Sequence, residues 1–255
     1  MSLVIENLSF AYGDVQALQD VSVEAAPGRL TTIIGPNASG KSTLLRCIIG
    51  RLKPTRGRVL LDGQASHQLK PRHLAQRVAY VAQRSVVSAA FSIREVVELG
   101  RYALPPDHHK VMEAIERLDL SDIATRPYAA LSVGQQQRVM LARAVAQLDD
   151  EGILLLDEPT SAMDLKHQFD TMKLIQELVS EKVTVLMVLH DLSLAASQGQ
   201  DAWLLNRGKL VASGIVDDVL DTNRLNDVFE VPFEWLVSKS GDRRLAAMTQ
   251  QGPMG

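Results

Sequence analysis

The 255-residue chain carries 27 Lys plus Arg against 30 Asp plus Glu, a formal net charge of −3, which argues against a nucleic-acid partner held by charge alone. Hydrophobic residues at 46% and charged residues at 22% fit a folded α/β protein with a sizeable core and exclude global disorder. No apolar run approaches the ~18 residues of a membrane-crossing helix, the start lacks the pattern of a secretory signal, and the single Cys47 allows no internal disulfide, so the expectation is a cytosolic protein.

Leu3 to Phe10 and Ala17 to Ala25 alternate apolar and polar residues as half-buried strands do. Pro27-Gly28 turns the chain into a short strand, Leu30 to Ile34. A glycine-bearing loop leads into a helix from about Ser42 to Ile49, stopped by Gly50. Val59 to Leu61 and Val78 to Ala82 read as further strands. From Ser92 to about Leu148 the chain is mostly helical, with Ser92, Asp107 and Ser132 as N-caps. Ile153 to Leu156 is a continuous apolar run, the pattern of a central parallel strand. A helix from Leu165 to Ser180 and a strand from Val183 to Leu189 continue a β-α-β rhythm. Ala202 to Leu205 and Lys209 to Ala212 flank Asn206-Arg207-Gly208 as a hairpin. Residues 241–255 read as a polar tail.

Gly35-Pro36-Asn37-Ala38-Ser39-Gly40-Lys41-Ser42 fits G-x-x-x-x-G-K-[ST] between a strand and a helix. Glycines let successive N–H groups turn inward onto phosphate oxygens, and the helix N-terminus adds a favourable dipole. Lys41 supplies a cation for the β- and γ-phosphates, and the Ser42 hydroxyl is placed to ligate Mg2+. The strand ending Leu156-Asp157-Glu158-Pro159 brings two acids. Asp157 suits Mg2+ held through water, and Glu158 suits a base that polarises water for attack on the γ-phosphate. Two solvated acids at a strand end would look the same in isolation; the phosphate loop is what gives the pair its meaning.

Leu131-Ser132-Val133-Gly134-Gln135-Gln136-Gln137-Arg138 is, taken alone, a capping box opening a helix. In its place ahead of Asp157-Glu158 it resembles the LSGGQ signature of ATP-binding cassette (ABC) ATPases, and the resemblance runs from Tyr12 to about Phe233. It implies an α/β fold: a P-loop NTPase (RecA-like) core with an N-terminal antiparallel β subdomain and an inserted α-helical subdomain. The expected layout is a single cassette over residues 1–240, with core segments 1–88 and 150–240 and helical subdomain 89–149.

The resemblance also implies the site. ATP would meet Tyr12, stacked on adenine, then Gly35, Pro36, Asn37, Ala38, Ser39, Gly40, Lys41, Ser42 and Thr43, and Gln83. Glu158, His190 and Lys41 would act in hydrolysis, with His190 touching the γ-phosphate. Mg2+ would be held by Ser42, Gln83 and Asp157. Ser132, Gly134, Gln135 and the D-loop residue Asp164 would act across a homodimer, each chain completing the other's site. Val133 stands where the family has glycine, so this position needs an ordinary backbone, because a β-branched residue resists positive φ. Met163 replaces a leucine, a volume-conserving change.

Phe91 to Tyr102, Asp164-Leu165-Lys166-His167-Gln168 and Leu225 to Val231 are similar to segments of importer ATPases for ferric siderophores, haem and cobalamin. That implies integral-membrane permease subunits as partners, a substrate-binding protein acting indirectly, and residence on the cytoplasmic side of the inner membrane, with no nucleic-acid partner. Arg94 and Arg101 are expected at the surface facing the permease. His108-His109 and His167 read as solvated residues rather than an iron site. A soluble ABC ATPase serving as an assembly factor, as in iron–sulfur cluster biogenesis, is the alternative.

Overall fold

A computed structural model of the chain describes residues 1–83, 87, 90–149, 152–237 and 243–248. Its strands begin with β1 (Leu3–Tyr12), β2 (Val15–Ala25), β3 (Leu30–Ile34), β4 (Arg56–Leu61), β5 (Gln64–Ala65) and β6 (Val78–Val81). The second half adds β7 (Ile153–Asp157), β8 (Thr184–Val188), β9 (Asp201–Asn206), β10 (Lys209–Ile215), β11 (Phe233–Val237) and β12 (Arg243–Ala247). Early helices are α1 (Lys41–Ile48), α2 (Pro71–Ala75), α3 (Ile93–Glu98), α4 (His108–Arg117) and α5 (Val133–Gln147). After them come α6 (Leu165–Ser180), α7 (Leu192–Gln198), α8 (Val216–Val219) and α9 (Thr222–Phe229).

Every residue of β3, β7 and β8 is buried, the signature of strands covered on both faces. They join a six-stranded sheet of order β10-β9-β3-β8-β7-β6, parallel except for the antiparallel β10 edge. The two-residue side-chain period splits this sheet between two cores. Leu154, Leu156, Val185, Met187 and Leu204 face α5, α6 and α7, whereas Leu155, Leu186, Val188, Trp203 and Leu205 face α1 and the β subdomain. That subdomain is an antiparallel sheet of order β2-β1-β4-β5.

The N-caps expected from the sequence are all formed. Ser92 and Ser132 each make both bonds of a capping box, and the Asp107 side chain accepts from the Lys110 amide. Strands β1 and β2 run further toward their shared turn than alternation alone indicates, because register shifts after Leu8 restart the pairing as far as Tyr12–Val15. The tail expected at 241–255 is corrected in part: Arg243–Ala247 form β12, paired antiparallel with β11. Leu245 is buried, and its carbonyl accepts from the Ser193 hydroxyl of α7, which ties the short strand to the core. The expected subdomain boundaries fall at 88, 89 and 150, outside the described residues, as does the stretch from 249 onward. No helix among the described residues is long and apolar enough to cross a membrane.

Candidate active site

The parallel strands end on one edge of the sheet, where α/β folds hold ligands. Gly35 follows β3 at φ 147°, and a Cβ there would sit 2.1 Å from the Leu205 carbonyl oxygen. Only glycine lets the loop pass β9 at that distance. Gly40, the N-cap of α1, sits at φ 106° with the Ala17 carbonyl 2.7 Å from where its Cβ would be. The loop therefore curls tightly and aims the first amides of α1 into an open groove of about 620 Å3.

Tyr12, Asn37, Ala38, Ser39, Gly40, Lys41, Ser42, Thr43, Gln83, Glu158 and His190 line this groove. Gly35 and Pro36 do not line it; their carbonyls accept from Lys41 Nζ at 2.8 and 2.9 Å. Burial pushes the Lys41 ammonium below its ordinary value, opposed by the nearby charges of Glu158 and Asp157. The Ser39 hydroxyl is buried in the loop without a hydrogen-bond partner among the described residues. A buried hydroxyl in a cradle of amides suits a phosphate oxygen as its acceptor.

Asp157 lies behind Ser42, only 2% exposed, and its Oδ1 accepts from the Ser42 hydroxyl at 3.1 Å. Burial raises its carboxyl above the usual range, with Glu158 adding to the rise and the Ser42 bond opposing it. Glu158 follows with φ 54°, a left-handed turn that swings its side chain away from the strand. There its Oε2 accepts from Gln83 Nε2 at 2.7 Å, and its Oε1 meets His190 Nε2. Loops after β6, β7 and β8 thus converge on one carboxylate. A hydroxyl and a carboxylate 3.1 Å apart are hard oxygen donors of the kind that suit Mg2+ completed by phosphate and water.

Ser132, Gly134, Gln135 and Asp164 are not among the residues lining this groove. They sit together elsewhere, at the N-termini of α5 and α6. A Cβ on Gly134 would lie 2.7 Å from the Ala162 carbonyl, so glycine allows α5 to touch the turn before α6. Val133 takes the first helical position with an ordinary backbone and is 65% exposed, so its branched side chain costs the fold nothing. The Asp164 carboxylate accepts from the His167 amide and ring, which hold it below the usual carboxylate range.

Two features escape a reading of the sequence. Gln137 grips the turn before α6, donating to the Ser161 hydroxyl at 3.2 Å and accepting from the Ala162 amide at 3.2 Å. Its one signal is its place one helical turn beyond Gly134. Tyr80 of β6 sits 3.5 Å from Asp157 Oδ2, whereas its sequence context is that of any strand residue. Arg101, expected at the surface, is only 7% exposed. It bonds Asp149 Oδ1 at 2.8 Å and the carbonyls of Ala146 and Pro105, pinning the end of α5 to the loop before α4. Arg101→Ala should therefore destabilise the chain by about 2–4 kcal/mol, measured by denaturant unfolding.

The ABC transporter domain family matches residues 18–161. A hemin import ATP-binding protein, HmuV, of Vibrio anguillarum is 38% identical over 231 residues, covering 88% of each chain. The HmuV protein of Pseudomonas entomophila is 39% identical over 238 residues, covering 90% of this chain and 92% of its own. Among solved structures, an inward-facing putative metal-chelate type ABC transporter superposes with a TM-score of 0.81 at 27% identity over 98% of both chains. A bacterial Atm1-family ABC exporter with ATP bound gives 0.78 at 28% identity over 86% of this chain and 39% of its own. The chain has the P-loop NTPase fold of ABC cassettes and belongs to the ABC transporter family of ATPases.

Proposed function

We propose that the chain is the ATP-hydrolysing subunit of an importer for an iron chelate, haem foremost, and that it works as a homodimer at the cytoplasmic face of the inner membrane. The observation that carries the homodimer is the split site: the phosphate groove lacks the α5 terminus, whose cap residues lie elsewhere on the same chain. A second copy turned head to tail would bring that terminus, with Ser132, Gly134, Gln135 and Asp164, against the γ-phosphate. Orphan helix amides and their dipole are suited to that charge.

Within each composite site, Tyr12 would stack on the adenine and the loop from Gly35 to Thr43 would wrap the phosphates. Lys41 would leave the Gly35 and Pro36 carbonyls for the β- and γ-phosphates. Ser42, Asp157 and Gln83 would hold Mg2+, which when bound neutralises charge on the phosphate oxygens. Glu158 would take a proton from the attacking water, while His190 and Gln83 hold its carboxylate and report the γ-phosphate. Closing the dimer would then depend on ATP, and hydrolysis would release it, a ligand-biased two-state switch.

The permease would dock on the helical subdomain. A groove of about 660 Å3 beside α3 is lined by Phe91, Leu99, Tyr102, Leu104 and Val111, with Glu95 and Glu98 on its rim. Tyr102 is 62% exposed and Leu99 45%, an apolar face suited to a helix of another subunit. Arg94, exposed and paired with Glu98 at 3.0 Å, borders it. Tyr102→Ala and Arg94→Glu should lower permease-coupled ATPase stimulation about fivefold, the size of one interface contact, and basal hydrolysis less. Equal losses of both rates would contradict the docking site.

The haem reading draws on the hemin import names of the relatives. Its test is the reconstituted transporter with its permease and binding protein, assayed for ATPase stimulation against haem, ferric siderophores and cobalamin. Haem should stimulate most. Recovery of the chain with soluble partners alone would overturn the import reading.

A further inference from the structure

Strand β6 sends side chains to both members of the acidic pair. Gln83, just past its end, bonds Glu158 at 2.7 Å. Three residues earlier, Tyr80 lies in the α1-facing core with its hydroxyl 3.5 Å from Asp157 Oδ2, while Ser42 holds Oδ1. The Arg46 guanidinium of α1 stands near both Tyr12 and Tyr80, and its interactions with them raise its pKa above the ordinary value. Tyr12 is braced in turn by Phe10, edge-to-face at 4.8 Å.

The chemistry gives this chain of contacts a direction. A phenol hydroxyl is a donor near neutral pH, and the carboxylate acceptor Asp157 Oδ2 is the group it faces. A carboxylate held at one oxygen still turns about its broad terminal torsion. Ser42 holds Oδ1 from α1 and the Tyr80 hydroxyl approaches Oδ2 from β6, so each oxygen has a donor that favours one plane.

We propose that Tyr80 is a positioning residue that orients Asp157 toward the divalent cation of the nucleotide. It rests on the reading of Asp157 as the Mg2+ carboxylate. Tyr80→Phe keeps the ring in the core and removes the hydroxyl alone.

The test uses the full chain carrying Glu158→Gln, with Mn2+ as the probe and its binding in the presence of ATP followed by electron paramagnetic resonance. Adding Tyr80→Phe should weaken Mn2+ binding about threefold to tenfold, with metal-free ATP binding changed by less than about twofold. Equal Mn2+ affinity with and without the Tyr80 hydroxyl would overturn the assignment while leaving Asp157 in its role. Failure of the Glu158→Gln chain itself to bind Mn2+ with ATP would overturn the reading of Asp157 and the assignment together.

Discussion

Glu158→Gln should reduce ATP turnover by about 10^2- to 10^4-fold, the range of a lost general base, while leaving ATP bound. The carboxylate stands where β6, β7 and β8 end, accepting from Gln83 Nε2 at 2.7 Å and meeting His190 Nε2. Glutamine has the same shape and can still accept a hydrogen bond, so the loop geometry survives and the capacity to take a proton does not. Nucleotide trapped without hydrolysis should then prolong the paired state. Steady-state ATPase and equilibrium nucleotide binding, measured on one preparation, separate the two effects. Turnover within tenfold of the unaltered chain would take the base assignment away from Glu158.

Lys41→Ala should fail earlier, at binding. Lys41 is 6% exposed, and its ammonium stands close to two acids that raise its affinity for a proton against the cost of burial. Removing it takes a neighbouring cation from Asp157 and Glu158 in a groove meant for a triphosphate, so repulsion gains over attraction. Loss of one such clamp is expected to lower hydrolysis by about 10^2- to 10^3-fold. ATP affinity should fall with it, read by titration of a fluorescent nucleotide. The fold itself should hold, because the same ammonium makes only two carbonyl bonds inside the loop. A melting temperature near that of the unaltered chain, with nucleotide binding gone, is the expected pair of results.

The parts of the site legible in the amino-acid sequence are those whose chemistry forces a local spacing. A loop that wraps phosphate needs glycine where the backbone passes Leu205 and Ala17, so Gly35 and Gly40 stand out in sequence. A capping box spans four residues, which is why Ser92 and Ser132 mark helix starts. What stays hidden depends on distant pairing. The sheet order, with β3 between β8 and β9, follows from no local pattern. Arg101 reads as surface because it is basic and lies in a helical stretch, yet it is buried by Asp149, 48 residues away. Tyr80 carries no signal, since a tyrosine in a strand packs whether or not its hydroxyl meets a carboxylate. The C-terminal strand escapes notice because one large apolar residue, Leu245, is all that anchors so short a run.

The pairing of two chains around ATP has one direct measurement. Val133→Cys, on the exposed start of α5, and Asn37→Cys, on the exposed phosphate loop, place thiols on the two faces that would meet. Cys47, the single native cysteine, is buried with its thiol pushed up to about 12 and stays silent. In the Glu158→Gln background, mild oxidation with ATP and Mg2+ should join the two chains covalently, and omission of nucleotide should leave them separate. Monomer that binds ATP yet never cross-links, or that hydrolyses it at full rate while single, would contradict a site shared between two copies.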